Sequence, residues 1–146
     1  KKHAKYGGWI FEKCLDICRI SPSSVVMHKS IFENIGFFDE ELPICEDYDM
    51  WLRVTARYKV FYSNEFLIKK YGGHSDQLSI AINGIENHRA YAIEKIILEG
   101  SLNKIQYRVA VEMLIKKLRI YKIGLIKRGR LKEAKSVSEK IRYWSS

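Results

Sequence analysis

The stretch Cys45-Glu46-Asp47-Tyr48-Asp49-Met50-Trp51-Leu52-Arg53 places three carboxylates at the start of a segment with helical periodicity. At about 100° per residue, Tyr48, Trp51 and Leu52 fall on one face of a predicted helix that runs from residue 46 to residue 57. We expect this apolar face to be buried. The opposite face carries Asp49 and Arg53 as an i, i+4 ion pair, and we expect that face to be solvated.

Asp47 stands apart from the other carboxylates of this helix. It falls beside Trp51 and Val54, and no arginine lies within one helical turn of it. One interpretation is a helix cap, because a first-turn Asp accepts backbone N–H bonds and interacts favourably with the helix dipole. Another treats Asp47-Tyr48-Asp49 as a D-x-D pair of metal ligands. The second is disfavoured, because two residues apart on a helix these side chains point about 200° away from each other.

The rest of the chain predicts an α+β, helix-rich fold. Short runs rich in β-branched and aromatic residues predict strands at residues 24–28, 59–63 and 66–71. Helical periodicity predicts helices at residues 10–18, 29–35, 86–99 and 103–127, and a last helix after the turn Arg128-Gly129-Arg130. We therefore expect residues 1–82 to form one domain with few strands, and residues 83–146 to form a helical extension that ends in a hairpin.

The net charge of +9 is concentrated near the C terminus. Residues 101–146 contain 13 Lys and Arg against 3 Asp and Glu, whereas residues 1–100 contain 13 against 14. A basic helical segment can bind nucleic acid or an anionic membrane surface, although Lys and Arg also form ordinary solvated helix faces. No apolar run reaches the roughly 18 residues of a membrane span, and three cysteines without a further Cys/His pair indicate reduced thiols.

Four blocks of sequence, in order along the chain, resemble the acceptor-side half of family 2 glycosyltransferases of the GT-A fold. The blocks are Ser21-Pro22-Ser23-Ser24-Val25-Val26, Gly36-Phe37-Phe38-Asp39-Glu40-Glu41-Leu42, the stretch at residues 45–53, and Gly72-Gly73-His74-Ser75-Asp76-Gln77-Leu78-Ser79. The resemblance implies a partial GT-A-like α/β unit followed by the helical hairpin.

The resemblance also implies a role for individual residues. Asp47 matches the general base that takes the proton of the acceptor hydroxyl during a single inverting displacement. Glu46, Trp51 and Asp39 match the acceptor site. The remaining matches are His74, which resembles a ligand of the nucleotide-bound Mg²⁺ or Mn²⁺, and Asp76 and Gln77, which resemble residues near the donor phosphates.

A nucleotide-binding half with a strand-end D-x-D precedes these blocks in the family, and residues 1–45 contain no equivalent of it. We therefore expect this chain alone to be inactive and to bind no metal, as a C-terminal fragment or a truncated product. In the complete enzyme the resemblance implies a nucleotide-sugar donor, a glycan acceptor and polysaccharide synthesis in the cytoplasm.

Exposed apolar surface predicts self-association, and the basic tail predicts peripheral contact with the inner face of the membrane. The alternative to an enzyme is a basic helical module that binds nucleic acid, an anionic membrane surface or a partner protein. Nucleic acid is the least expected of these ligands, because residues 101–146 offer few aromatic side chains for stacking on bases.

Overall fold

The computed structural model describes residues 4–69, 71 and 84–146. The chain divides into a first unit, Lys1–Asn83, and a second unit, Gly84–Ser146. The first unit contains α1 (Phe11–Asp16), a 3-10 turn (Pro22–Ser24), α2 (Ser30–Ile35) and α3 (Glu46–Arg57). The second unit contains α4 (Ile85–Leu98), α5 (Lys104–Lys127) and α6 (Leu131–Ser145).

The prediction of an α+β fold with a GT-A-like α/β unit is wrong. Within the described ranges the protein is helical, with six α-helices, and β pairing is limited to one antiparallel bridge between Gly8 and Val60. Its N–H···O distances are 2.7 and 3.0 Å. The predicted strands fail because an extended run needs a neighbouring strand to complete its hydrogen bonds and cover its side chains. Val26 and Phe66 are instead fully exposed.

The helix α3 has the bounds that the sequence predicts. Its acidic first turn favours helix formation through the dipole, and Tyr58 ends it in an extended conformation. Tyr48 and Trp51 are buried as expected, and the hydroxyl of Tyr48 donates a hydrogen bond to the carbonyl of Leu15 at the end of α1. α3 is therefore the core helix of the first unit.

The segment between α1 and α3 packs over α3. A buried cluster of Met50, Trp51 and Val54 is covered by Tyr58, at the end of α3, and by partly buried residues of this segment, namely Cys18, Ile20, Val25, Met27, Ile31, Phe32, Ile35 and Phe38. The ring of Phe38 meets that of Trp51 edge-on, with centroids 6.2 Å apart. This covering segment, rather than the predicted strands, buries the apolar face of α3.

The Asp49–Arg53 ion pair is formed as predicted, but it is buried rather than solvated. Asp49 and Arg53 are 1% and 6% exposed. Arg53 donates to Asp49 Oδ2 from Nε at 3.0 Å and from Nη2 at 2.8 Å. It also donates to the carbonyls of Ile35 and Phe37, so the guanidinium joins α3 to the end of α2. Helical periodicity predicted the ion pair, but it could not predict that the backbone at Ile35 and Phe37 covers it.

The second unit is built around α5, which packs against both α4 and α6. Asn103 starts α5 with a capping box: Asn103 Oδ1 accepts from the N–H groups of Ile105 and Gln106, and Gln106 Oε1 accepts from the Asn103 N–H. Gly129 turns the chain towards α6 with a φ of 73°, a left-handed conformation that favours glycine. Each helix of the described ranges is too short or too polar to reach across a lipid bilayer.

Ion pairs also connect the helices of the second unit. Glu86 Oε1 lies 2.8 Å from Arg89 Nη1, and Glu86 Oε2 lies 3.0 Å from the Nζ of Lys117, which is buried. Glu94 accepts from Lys140 at 2.7 Å and from Trp144 Nε1 at 2.9 Å. The two contacts of Glu94 link α4 to α6.

We expect Arg53→Met to lower the free energy of unfolding of the first unit by about 3–5 kcal/mol, because it leaves Asp49 buried without its cation. The measurement is urea unfolding followed by tryptophan fluorescence, with Trp144 replaced by Phe so that the signal comes from Trp9 and Trp51.

Arg57→Met is the matched control, because Arg57 is exposed at the end of the same helix and donates to the Asn34 carbonyl. We expect it to change stability by only about 0.5 kcal/mol. Equal losses for the two variants would contradict the structural role of the buried pair.

Burial raises the pKa of the Cys14 thiol from 9.0 to about 11, with opposing effects of Thr55 and Arg19. As pH rises, the thiol loses its proton near pH 9.0 in the unfolded chain but only near pH 11 in the folded protein. The stability contributed by the neutral thiol is therefore fully present below pH 9.0 and is lost towards pH 11. We expect the wild-type protein to lose about 2 kcal/mol more than Cys14→Ala over this interval. Urea unfolding at a series of pH values measures the difference, and parallel curves would contradict the assignment.

Candidate functional site

The candidate site is the first turn of α3, which follows directly after a residue with a strained backbone conformation. Cys45 has φ 68° and ψ 17°, and it is the one non-glycine residue with positive φ in the described part of the chain. A left-handed conformation costs an L-residue roughly 1–2 kcal/mol. Buried side chains of Leu42 and Ile44 anchor the preceding turn. Such strain is concentrated at functional sites in proteins, which draws attention to Glu46 and Asp47 immediately afterwards.

Asp47 is half-buried and both of its carboxylate oxygens have partners. Oδ1 accepts from the backbone N–H of Tyr48 at 2.7 Å. This N–H is among those that a helix N terminus leaves without an intrahelical acceptor, so Oδ1 acts in part as the cap interpretation suggested. Oδ2 lies 3.2 Å from the sulfur of Cys18, which donates to it. The side-chain partner of Asp47 is thus a thiol that lies 29 positions away in the sequence.

The Cys18 thiol is protonated at neutral pH. Burial raises its pKa, and the negative charge of Asp47 beside it raises the pKa further. The same sulfur also lies 3.2 Å from the carbonyl of Ile20. Because the thiol carries one proton, it can serve only one of these two acceptors at a time.

The other predicted acceptor-site residues have varied surroundings. Glu46 is half-buried at the start of α3. Trp51 is only 3% exposed, and its indole N–H has no hydrogen-bond acceptor among residues 4–69, 71 and 84–146. Asp39 is half-buried, and its Oδ1 accepts from the N–H of Glu41 at 3.0 Å, which closes a local turn.

The described residues do not fit a divalent metal at the D-x-D sequence. Asp47 Oδ2 is engaged with Cys18, whereas Asp49 Oδ2 is held by Arg53. No group of three or more His, Cys, Asp or Glu side chains in the described portion has the proximity that a metal ion needs. His74, Asp76 and Gln77 lie outside the described residues, so their roles stay predictions.

Sequence reasoning missed the contributions of Cys18 and Cys45. Cys18 was assigned to the first helix, but α1 ends at Asp16 and Cys18 lies on the chain beyond it. Its pairing with Asp47 spans 29 positions, which no local periodicity reveals. The left-handed turn at Cys45 carries no sequence signal either, because glycine or asparagine is the usual residue there.

The chain is distantly similar, over part of its length, to uncharacterized glycosyltransferases of Rickettsia. It is 29% identical over 101 residues to one from Rickettsia typhi and 26% identical over 101 residues to one from Rickettsia prowazekii. Each match covers 63% of this chain and 32% of the relative. A third, from Rickettsia conorii, is 33% identical over 69 residues, which are 47% of this chain and 11% of the relative.

The chain therefore spans about a third of the length of the first two relatives. No family model and no solved structure matches it. The similarity connects the chain to glycosyltransferases in general terms.

Burial is the largest cause of the raised pKa of the Cys18 thiol, and the negative charge of Asp47 is the next. Asp47→Asn removes that charge, so it should accelerate alkylation of Cys18. Each unit by which the pKa falls gives about tenfold more thiolate at a fixed pH below it, and the thiolate is the reactive form. The measurement is iodoacetamide labelling, with fragment-ion mass spectrometry to distinguish Cys18 from Cys14.

The control is Glu12→Gln, which removes an exposed carboxylate of α1. We expect its labelling rate to match that of the wild-type protein. If Asp47→Asn also labels at the wild-type rate, the charge of Asp47 does not govern the Cys18 thiol.

Proposed function

We propose that this chain is the acceptor-binding, base-supplying part of an inverting family 2 glycosyltransferase that uses a nucleotide-sugar donor. The observation that carries the proposal is the similarity to Rickettsia glycosyltransferases over 101 residues. The half-buried Asp47 at a strained helix start supports it further.

Asp47 acts as the general base. The acceptor oxygen forms a bond to the anomeric carbon of the sugar while the bond from that carbon to the nucleoside diphosphate breaks, and the hydroxyl proton passes to the carboxylate. Each carboxylate oxygen can accept two hydrogen bonds, so contacts with Tyr48 and Cys18 leave capacity for the acceptor hydroxyl. The remaining exposure of Asp47 gives that hydroxyl a route to it.

The helix behind Asp47 suits a group that must be held in a fixed geometry. The hydroxyl of Tyr48 donates a hydrogen bond to a backbone carbonyl of α1, and the guanidinium of Arg53 donates one to a backbone carbonyl that follows α2. Rigid support of this kind preserves the orientation of a catalytic group. Cys18 adds a direct contact that orients the carboxylate itself.

The donor belongs to another part of the complete enzyme in this proposal. His74, Asp76 and Gln77 would lie near the donor phosphates, and a divalent metal would be held with the donor rather than by the first turn of α3. The acceptor is a glycan, with the half-buried Glu46 and Asp39 at its binding site. Trp51, the third residue matched to that site, is 3% exposed and would support it from the core. Polysaccharide synthesis is the process that this activity would serve.

The test is Asp47→Asn in a longer protein that joins these 146 residues to a donor-binding half. We expect kcat for sugar transfer to fall by about 10²- to 10⁴-fold, the usual contribution of a positioned base. The donor KM should change little, because Asp47 does not bind the nucleotide. Release of nucleoside diphosphate and formation of glycoside product measure both quantities.

Glu33→Gln provides the matched control, because it removes one exposed carboxylate from α2. Its kcat should equal that of the wild-type enzyme. An Asp47→Asn enzyme with kcat within about threefold of wild type would remove Asp47 from the role of base. The 146-residue chain alone should release no nucleoside diphosphate from a panel of sugar nucleotides.

A further inference from the structure

One side of α5 is exposed along most of its length. At about 100° per residue, the buried Ala110, Leu114, Leu118 and Leu125 lie within one half of the helix circumference. The exposed residues of the opposite half form what we call the outer face of α5: Ile105, Arg108, Glu112, Lys116, Arg119, Ile120, Ile123, Ile126 and Lys127.

The outer face carries four isoleucines that are exposed to solvent. Ile105, Ile120, Ile123 and Ile126 are 61%, 44%, 55% and 49% exposed. Single exposed apolar residues are ordinary, but three isoleucines within seven positions make a local cluster. Aliphatic side chains of this kind gain free energy when an apolar environment replaces water around them.

Basic side chains border the isoleucines. Arg108, Lys116, Arg119 and Lys127 share the outer face with a single acidic residue, Glu112. The second unit as a whole contains 15 Lys and Arg against 6 Asp and Glu, whereas residues 1–83 contain 11 of each. The formal net charge of the chain therefore comes from the unit that presents this face.

We propose that the outer face of α5 binds the surface of an anionic lipid bilayer. The helix lies parallel to the membrane plane, with the isoleucines at the boundary between headgroups and acyl chains. Arg119 and Lys127 extend along that boundary so that their charged ends reach lipid phosphates. The contact is peripheral and does not depend on glycosyl transfer.

The composition of the face favours a bilayer over two other ligands. A nucleic acid would satisfy the arginines and lysines, but isoleucine offers neither a ring for base stacking nor a hydrogen-bond donor. A second copy of the chain would cover the isoleucines, but it would bring two surfaces of like charge together. An anionic bilayer provides both an apolar layer and opposite charge.

The test is co-sedimentation of the full chain with vesicles of phosphatidylcholine alone and of phosphatidylcholine and phosphatidylglycerol in a ratio of about two to one. We expect binding to the anionic vesicles to be at least tenfold tighter, and to weaken as salt is raised because the charges are screened.

Two double variants separate the apolar and charged contributions. Arg119→Gln with Lys127→Gln should weaken binding to anionic vesicles by about 25-fold, since each basic residue near such a surface contributes about fivefold. Ile120→Gln with Ile123→Gln should weaken it by about tenfold without changing the charge. Glutamine is a good helix former, and circular dichroism checks that the helix content is kept.

Lys132→Gln with Lys135→Gln is the matched control, because it removes two exposed charges from α6. It should weaken vesicle binding by less than about threefold. Equal effects of the two charge variants, or no effect of the isoleucine variant, would show general charge attraction and overturn the proposal.

Two further outcomes would also overturn it. If the wild-type chain binds no anionic vesicles but sediments as a dimer that the isoleucine variant dissociates, the face is an interface between copies. If single-stranded RNA binds more tightly than vesicles and the isoleucine variant binds RNA normally, the face belongs to a nucleic-acid site.

Discussion

The guanidinium of Arg53 is the constraint on which the first unit depends. It makes two hydrogen bonds to Asp49 within α3 and two to the backbone carbonyls of Ile35 and Phe37. An arginine buried without these acceptors would be strongly destabilising, so the burial of Arg53 depends on the carbonyls of the covering segment. That segment in turn encloses Trp51, and the unit gains a core without a sheet.

The same arrangement fixes the helix whose first turn forms the candidate site. Arg53 holds the second half of α3 against the backbone after α2, while Tyr48 ties the beginning of α3 to α1. Asp47 projects from this supported turn with a protonated thiol as its neighbour. Several hydrogen bonds therefore fix the helix that follows the left-handed Cys45. Surrounding structure of this kind is what allows a strained backbone conformation to persist.

Helical periodicity predicted the helices well because their patterns are local. The bounds of α3 agree with the prediction, and those of α4 and α5 differ from it by at most one residue at each end. The predicted strands and the predicted solvation of the Asp49–Arg53 face were wrong, because each depended on which distant segment lies alongside. At the site, sequence singled out Asp47 but had no means of finding Cys18, its partner from 29 positions away.

The contact between Cys18 and Asp47 has a consequence for oxidation chemistry. Peroxides and other oxidants attack the thiolate form of cysteine, and the pKa of Cys18 is raised by burial and by the Asp47 carboxylate. The carboxylate thus keeps its own hydrogen-bond donor in the form that oxidants attack least. The hydrogen bond at the start of α3 can persist under mildly oxidising conditions, although its donor is among the most readily oxidised types of side chain in proteins.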